Sequence, residues 1–184
     1  MEAVTRLSQH DAADLIASAA AGDEYAFRRI IAAHHDDMRR VCRAISGDHT
    51  LAEEATQAAW VIAWKKLDKV KGPDHLRPWL VAVAVNEAKK LMSKRRRRAE
   101  IEVATAGDAS AMPGGGDPAA AIDLVDLWAA VRRMEPDDRA LLTMRYGVGF
   151  NSSELAVATG KTPAAIRQRL KRLVDRLRED LSDG

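Results

Sequence analysis

Six cations crowd the segment PAAIRQRLKRLVDRLRE near the end of this 184-residue chain: Arg167, Arg169, Lys171, Arg172, Arg176 and Arg178. Arginine offers a two-pronged donor that matches guanine, glutamine does the same for adenine, and either cation neutralises phosphate. At helical spacing Arg167, Gln168, Lys171 and Arg172 share one face, while Ile166, Leu170, Leu173, Val174 and Leu177 share another. That face suits readout of duplex DNA. A second basic run, KKLMSKRRRR from Lys89 to Arg98, holds seven basic residues in ten and no acid. Just upstream, Trp79 and Asn86 stand seven apart, so one helical surface offers an indole, an amide and the cations Lys89 and Lys90. Such a surface suits an unpaired strand, whose phosphates need cations and whose bases can be stacked or hydrogen-bonded on open edges. A solvated tail and a core tryptophan explain the same residues.

Other groupings offer less. In His34-His35-Asp36-Asp37 neighbours point about 100° apart on a helix, so four ligands cannot converge on a metal. Cys42, the lone cysteine, lies on an apolar stripe and excludes an intrachain disulfide, which fits a reducing cytoplasm. No Ser/His/Asp grouping, phosphate-binding glycine loop or paired-carboxylate spacing stands out, so no catalytic site and no cofactor are expected. The first residues, MEAVTRLSQHD, lack an apolar signal core, and the longest apolar run, Trp79 to Val85, is too short to span a bilayer.

The elements that position these residues read as helices, since Ala, Leu, Arg, Lys and Glu dominate and β-branched alternation is missing. Phe27, Ile30, Ile31, His34, Met38, Val41, Cys42 and Ile45 draw one buried stripe over Glu24–Ile45, ended by Gly47. A second helix is predicted over about Leu51–Val70, closed by Gly72-Pro73, and a third from about Pro78 into the basic run. Residues 100–122 lack a period, contain Pro113, three consecutive glycines and Pro118, and read as a flexible linker. Helices over Leu124–Met134 and Asp137–Tyr146 follow, then a short helix Ser152–Thr159 with a capping-box start at Asn151 and Glu154. Gly160 stops it, and Thr162-Pro163 opens the last helix. A short helix, a glycine turn and a longer basic helix form a helix-turn-helix pattern. The expectation is an all-α chain of two small helical domains, 1–99 and 123–184. Charge alternates along it: 18 basic against 13 acidic residues over 1–99, none against five over 100–123, and 11 against nine over 124–184.

Two stretches carry a family resemblance. AEEATQAAWVIAWKKLDKVKG with LRPWLVAVAVNEAKKLMSKRRRR resembles region 2 of the extracytoplasmic-function (ECF) sigma factors, and LWAAVRRMEPDDRALLTMRYGVGFNSSELAVATGKTPAAIRQRLKRL resembles their region 4. The resemblance implies a dissociable specificity subunit of bacterial RNA polymerase, with core polymerase (its β′ clamp helices and β flap) and promoter DNA as partners. It also implies that an anti-sigma factor is a conceivable further partner. On it, Glu53, Glu54, Gln57, Trp60 and Trp64 belong to the clamp-docking helix, although either indole also reads as core. Asn86 would read a base flipped from the minus-ten strand, with Trp79, Lys89, Lys90, Arg95, Arg96, Arg97 and Arg98 nearby. Thr162, Arg167, Gln168, Lys171 and Arg172 would meet the minus-thirty-five duplex, with Arg169 pointing elsewhere in a structural or phosphate role. The acidic linker would either thread toward the RNA exit path or act as a plain tether. The rival reading is a conventional helix-turn-helix regulator that never enters the polymerase.

Overall fold

The computed structural model describes residues 9–106 and 122–182, and every regular element among them is helical. Helix α1 (Gln9–Ala20) was not anticipated, because its polar face and its short apolar side, Ile16 and Ala19, give little periodicity. Helix α2 (Glu24–Ser46) is capped as its sequence implies. The Asp23 carboxylate accepts from the amides of Tyr25 (2.8 Å) and Ala26 (3.3 Å), and Gly47, at φ 68°, donates its N–H to the Arg43 carbonyl. A left-handed stop favours glycine because a Cβ would strain it. α2 buries Phe27, Ile30, Met38, Val41, Cys42 and Ile45 against α3 (His49–Lys66) and α4 (Pro73–Ala106), making a three-helix bundle with α1 laid along α2.

In this bundle three expected boundaries move. α3 stops at Lys66, and a single 3₁₀ turn, Leu67–Lys69, completes what had been read as helix to Val70. α4 begins at Pro73 rather than Pro78, because Pro73 supplies the preset first-turn φ; Pro78 then sits inside the helix, where it forfeits one backbone hydrogen bond without stopping it. At its other end α4 runs through residues 100–106, which had been assigned to the linker, with Arg96 and Glu100 paired at 2.8 Å across one turn. Residues 107–121 of the expected linker lie outside the described residues, and Ile122 opens the next helix.

The second unit comprises α5 (Ile122–Arg133), α6 (Pro136–Leu142), α7 (Ser152–Thr159) and α8 (Pro163–Ser182). The helix expected to reach Tyr146 ends at Leu142, and a π-helical turn, Thr143–Gly147, follows. Asn151 accepts from the amides of Ser153 and Glu154 while Glu154 accepts from the Asn151 amide at 2.8 Å, a closed capping box for α7. Gly160, at φ 67°, stops α7, and the Thr162 hydroxyl caps α8 through the Ala165 amide at 3.2 Å. Phe150, Leu155, Ile166, Leu170 and Leu173 lock α8 against the preceding helices. The two units are in contact: α4 packs on α7, and α2 packs on α6 and the π turn.

Candidate polymerase and nucleic-acid interfaces

On α3 the outward stripe is Glu54, Gln57, Val61 and Trp64, at steps of three and four. Val61 is 57% exposed and Trp64 40%, a large apolar area for a surface helix. Val61, not among the residues expected to meet the polymerase, lies on this exposed stripe, whereas Trp60, which was among them, is turned into the bundle. Trp60 is 8% exposed, its indole N–H donates to His35 Nδ1 at 3.2 Å, and its ring meets Phe27 edge-on at 5.7 Å. Phe27 also meets Trp64 at 4.8 Å, so one aromatic wedge supports the exposed indole from beneath. Counting indoles alone hid this. Outward direction is set by which face α2 covers, and steps from Glu54 rather than Glu53 would have picked out Val61. Glu53 is half-buried beside Arg39 (3.6 Å) and His49 (3.8 Å), while Glu54 is exposed with Arg95 at 3.8 Å.

On α4, Trp79, Val83, Asn86, Lys90 and Arg97 follow one helical face. Trp79 is half-buried against the core of its own bundle, and Asn86 is exposed. Several of the expected cations are already engaged. Lys89 pairs with Asp137 of α6, Lys90 with Glu87 at 2.6 Å, Arg95 with Asp48 at 2.5 Å, and Arg96 with Glu100. Asp48 caps α3 through the Leu51 amide, and that bond, together with Arg95, holds its carboxyl below the usual range. Arg97 and Arg98 are exposed and make no ion pair among the described residues.

On α8, Arg167, Gln168, Lys171 and Arg172 are all exposed and form no side-chain hydrogen bond among the described residues. Arg169 is turned away: its Nε and Nη2 both hold Asp138 Oδ1, at 2.8 and 2.7 Å, pinning α8 to α6. Thr162, at the mouth of the turn, is exposed and serves as the N-cap.

His34 stands next to the contact between the units. Burial, opposed by Asp37 and reinforced by Arg77, lowers its pKa to about 4, and its Nδ1 has no hydrogen-bond partner among the described residues. The unfolded imidazole protonates near 6.5, so between about pH 6.5 and 4 the unfolded chain binds more protons than the folded one. The stability this neutral histidine confers is therefore complete above about pH 6.5 and declines as pH falls toward 4. Denaturant titrations at pH 7 and 4.5 should differ by roughly 2 kcal/mol from this group, and His34→Gln should shrink that difference.

Two helical units, one with an exposed half-apolar stripe beside an exposed asparagine and a basic helix, the other a helix-turn-helix with an open Arg/Gln/Lys face, define a bipartite DNA-binding transcription protein. The chain belongs to the sigma-70 family of RNA polymerase sigma factors, in its extracytoplasmic-function type: residues 30–98 match Sigma-70 region 2 and residues 124–177 match Sigma-70, region 4. It is 30% identical over 172 residues to the probable RNA polymerase sigma factor RfaY of Xanthomonas campestris pv. campestris, covering 89% of this chain and 42% of that protein's length. It is 25% identical over 174 residues to the ECF RNA polymerase sigma factor SigL of Mycobacterium tuberculosis, covering 91% of this chain and 96% of SigL. The sigma factor RpoE of Bartonella quintana, solved with the anti-sigma factor NepR, has a similar fold, with a TM-score of 0.65, 24% identity and coverage of 85% of this chain and 96% of that one.

Proposed function

We propose that this chain directs core RNA polymerase to specific promoters, reading a minus-thirty-five element as duplex through α8 and holding the melted minus-ten strand at the Asn86 edge of α4. The observation that carries this reading is the state of the α8 face: four side chains suited to bases and phosphates stand exposed on a capped, pinned helix with no side-chain partners among the described residues. Region 2 contributes the complementary half, in which Asn86 can hydrogen-bond an extruded base and Arg97 and Arg98 can meet its backbone. Melting is driven by binding, since trapping a flipped base offsets an unstacking cost of a few kcal/mol. Glu54, Gln57, Val61 and Trp64 are the surface for the clamp helices of core polymerase. The chain supplies no catalytic group and works in the cytoplasm beside the polymerase. Among its described residues no helix is long and apolar enough to cross a membrane. An anti-sigma factor, the kind of partner seen with the Bartonella chain, is a further proposed ligand.

The test is run-off transcription with purified chain and core polymerase on candidate promoter DNA. Tight duplex binding that never redirects core polymerase would sink the proposal in favour of a conventional regulator. Arg167→Ala should weaken duplex recognition by about 1–3 kcal/mol if its guanidinium makes a bidentate base contact. Asn86→Ala should leave that step intact and lower the yield of permanganate-reactive open complexes. Equal losses at both steps for both variants would contradict the division of labour.

A further inference from the structure

The face that α8 turns to solvent is fixed in rotation and changes in chemistry along its length. Ile166, Leu170, Leu173 and Leu177 are buried, and Arg169, beside that stripe, holds Asp138 through Nε at 2.8 Å and Nη2 at 2.7 Å. At about 100° per residue, the line opposite the buried stripe runs through Ala164, Gln168, Lys171 and Asp175. From the start of the helix onward that line therefore carries a methyl group, an amide, an ammonium and a carboxylate. Ala164, Gln168 and Lys171 are exposed, with Arg172 exposed beside Lys171. Asp175 pairs with Arg178 at 3.7 Å, and a carboxylate on the centre line is repelled by phosphate. Only Ala164 to Arg172 can lie close to a duplex, about 12 Å of helix at about 1.5 Å per residue, or about three to four base pairs at about 3.4 Å each.

Helices of this motif touch base edges through their N-terminal residues. The first turn here is small: Pro163, Ala164 and Ala165 are all exposed, and none has the bulk to hold Gln168 away from the floor of a groove. In the major groove a methyl group finds one counterpart, the 5-methyl of thymine, and a glutamine amide matches both the N6 donor and the N7 acceptor of adenine. Ala164 and Gln168 are four residues apart, about 6 Å along the helix axis, so the bases they meet lie one or two base pairs apart. We propose that these two residues set the base preference of the chain: Gln168 reads an adenine, Ala164 packs on the methyl of a thymine one or two base pairs away, and Lys171 and Arg172 hold phosphate and add affinity without preference; this rests on the reading of α8 as the minus-thirty-five reader. The pin from Arg169 to Asp138 matters because a rotation of α8 by one residue, about 100°, would take Gln168 off the centre line and end the readout.

The experiment offers duplexes with a randomised window at the minus-thirty-five position to the full chain bound to core polymerase and, in parallel, to the full chain alone, and sequences the DNA retained. Wild type should enrich an adenine with a thymine one or two base pairs away. Gln168→Ala should erase the preference at the adenine position only, weakening binding of the selected duplex roughly ten- to a hundredfold. Deoxyuridine in place of the selected thymine removes only the 5-methyl and should weaken wild-type binding about fourfold, the worth of one buried methyl group. Ala164→Gly should bind the thymine and deoxyuridine duplexes equally, an outcome that a general weakening of the helix would not produce. If circular dichroism shows Ala164→Gly unfolded, Ala164→Ser, which sets a hydroxyl against the thymine methyl, should also lose the discrimination. Lys171→Ala should weaken all duplexes alike and lower the slope of log affinity against log salt by about 0.9. A selected element without the adenine and thymine, a Gln168→Ala loss spread over every position, or equal wild-type affinity for thymine and deoxyuridine overturns the proposal. The selected duplexes are also scored for run-off transcripts. Transcripts without the two preferences defeat this base assignment alone, both preferences without any transcript defeat the sigma-factor reading alone, and no retained duplex in either arm defeats both.

Discussion

Val61→Glu should weaken capture of core polymerase about thirtyfold or more and leave the region 2 bundle as stable as before. Val61 is 57% exposed midway between Gln57 and Trp64 on the outward face of α3, so in the free chain a carboxylate there stays in water and changes stability by no more than about 0.5 kcal/mol. In the docked state the position would be covered, and an unpaired carboxylate buried at the centre of a contact costs at least about 2 kcal/mol, roughly a thirtyfold rise in Kd. Trp64→Ala should act by a different route, removing an indole that Phe27 holds in place; anchors of this kind dominate interface energies, and a loss of about 2 kcal/mol or more is expected. Trp60→Phe is the discriminating control. Its ring is inside the bundle and its N–H is spent on His35, so it should lower thermal stability while leaving affinity for core polymerase nearly unchanged. Fluorescence-anisotropy titration of labelled chain with core polymerase reads all three. Wild-type affinity for Val61→Glu would remove this stripe from the interface.

The contrast between Trp60 and Val61 shows where reading the sequence worked and where it failed. Local signals were legible because a few adjacent residues generate them: Asn151 and Glu154 announce the capping box, Gly47 and Gly160 the left-handed stops, and Thr162-Pro163 the start of α8. The α8 face was legible for the same reason, as one helix carries both its apolar and its basic stripe. What α3 turns outward depends instead on where α2 lies, and α3 carries the large apolar residues Val61 and Trp64 on the side opposite its buried alanines, so its apolar pattern selects no single face. Pro78 misplaced the start of α4 because an earlier proline, Pro73, already supplied the N-terminal turn. The continuation of α4 through residues 100–106 was masked by the Pro/Gly-rich composition that follows, although the Arg96–Glu100 spacing signals a helical turn. Least legible were the contacts between the two units. Arg77, Arg40 and Lys89 are ordinary surface cations by sequence, and their partners at Val148 and Gly147 are backbone carbonyls, which carry no side-chain signature.

Phe150→Ala should empty most of the stability of region 4 while region 2 stays folded. Phe150 is 0% exposed, its amide donates to the Met144 carbonyl at 2.8 Å, and its own carbonyl accepts from Arg145 at 2.9 Å, so the ring anchors the turn that delivers α7 to α8. Truncating a buried phenylalanine costs about 3–5 kcal/mol, which is most of what so small a unit can hold. The variant should lose protection from hydrogen exchange across α6–α8 and lose duplex binding with it, yet still dock on core polymerase through α3. Phe150→Leu separates packing from the contact between units. Leucine refills much of the volume at a cost below about 1.5 kcal/mol but offers no ring face to the Arg77 guanidinium 4.7 Å away. It should therefore keep α8 on duplex DNA while weakening the contact between the units, read as faster hydrogen exchange around Val148. Full exchange protection and unchanged duplex affinity in Phe150→Ala would show that the helix-turn-helix is held from elsewhere, and the apolar stripe of α8, Ile166, Leu170, Leu173 and Leu177, would then have to carry the unit without it.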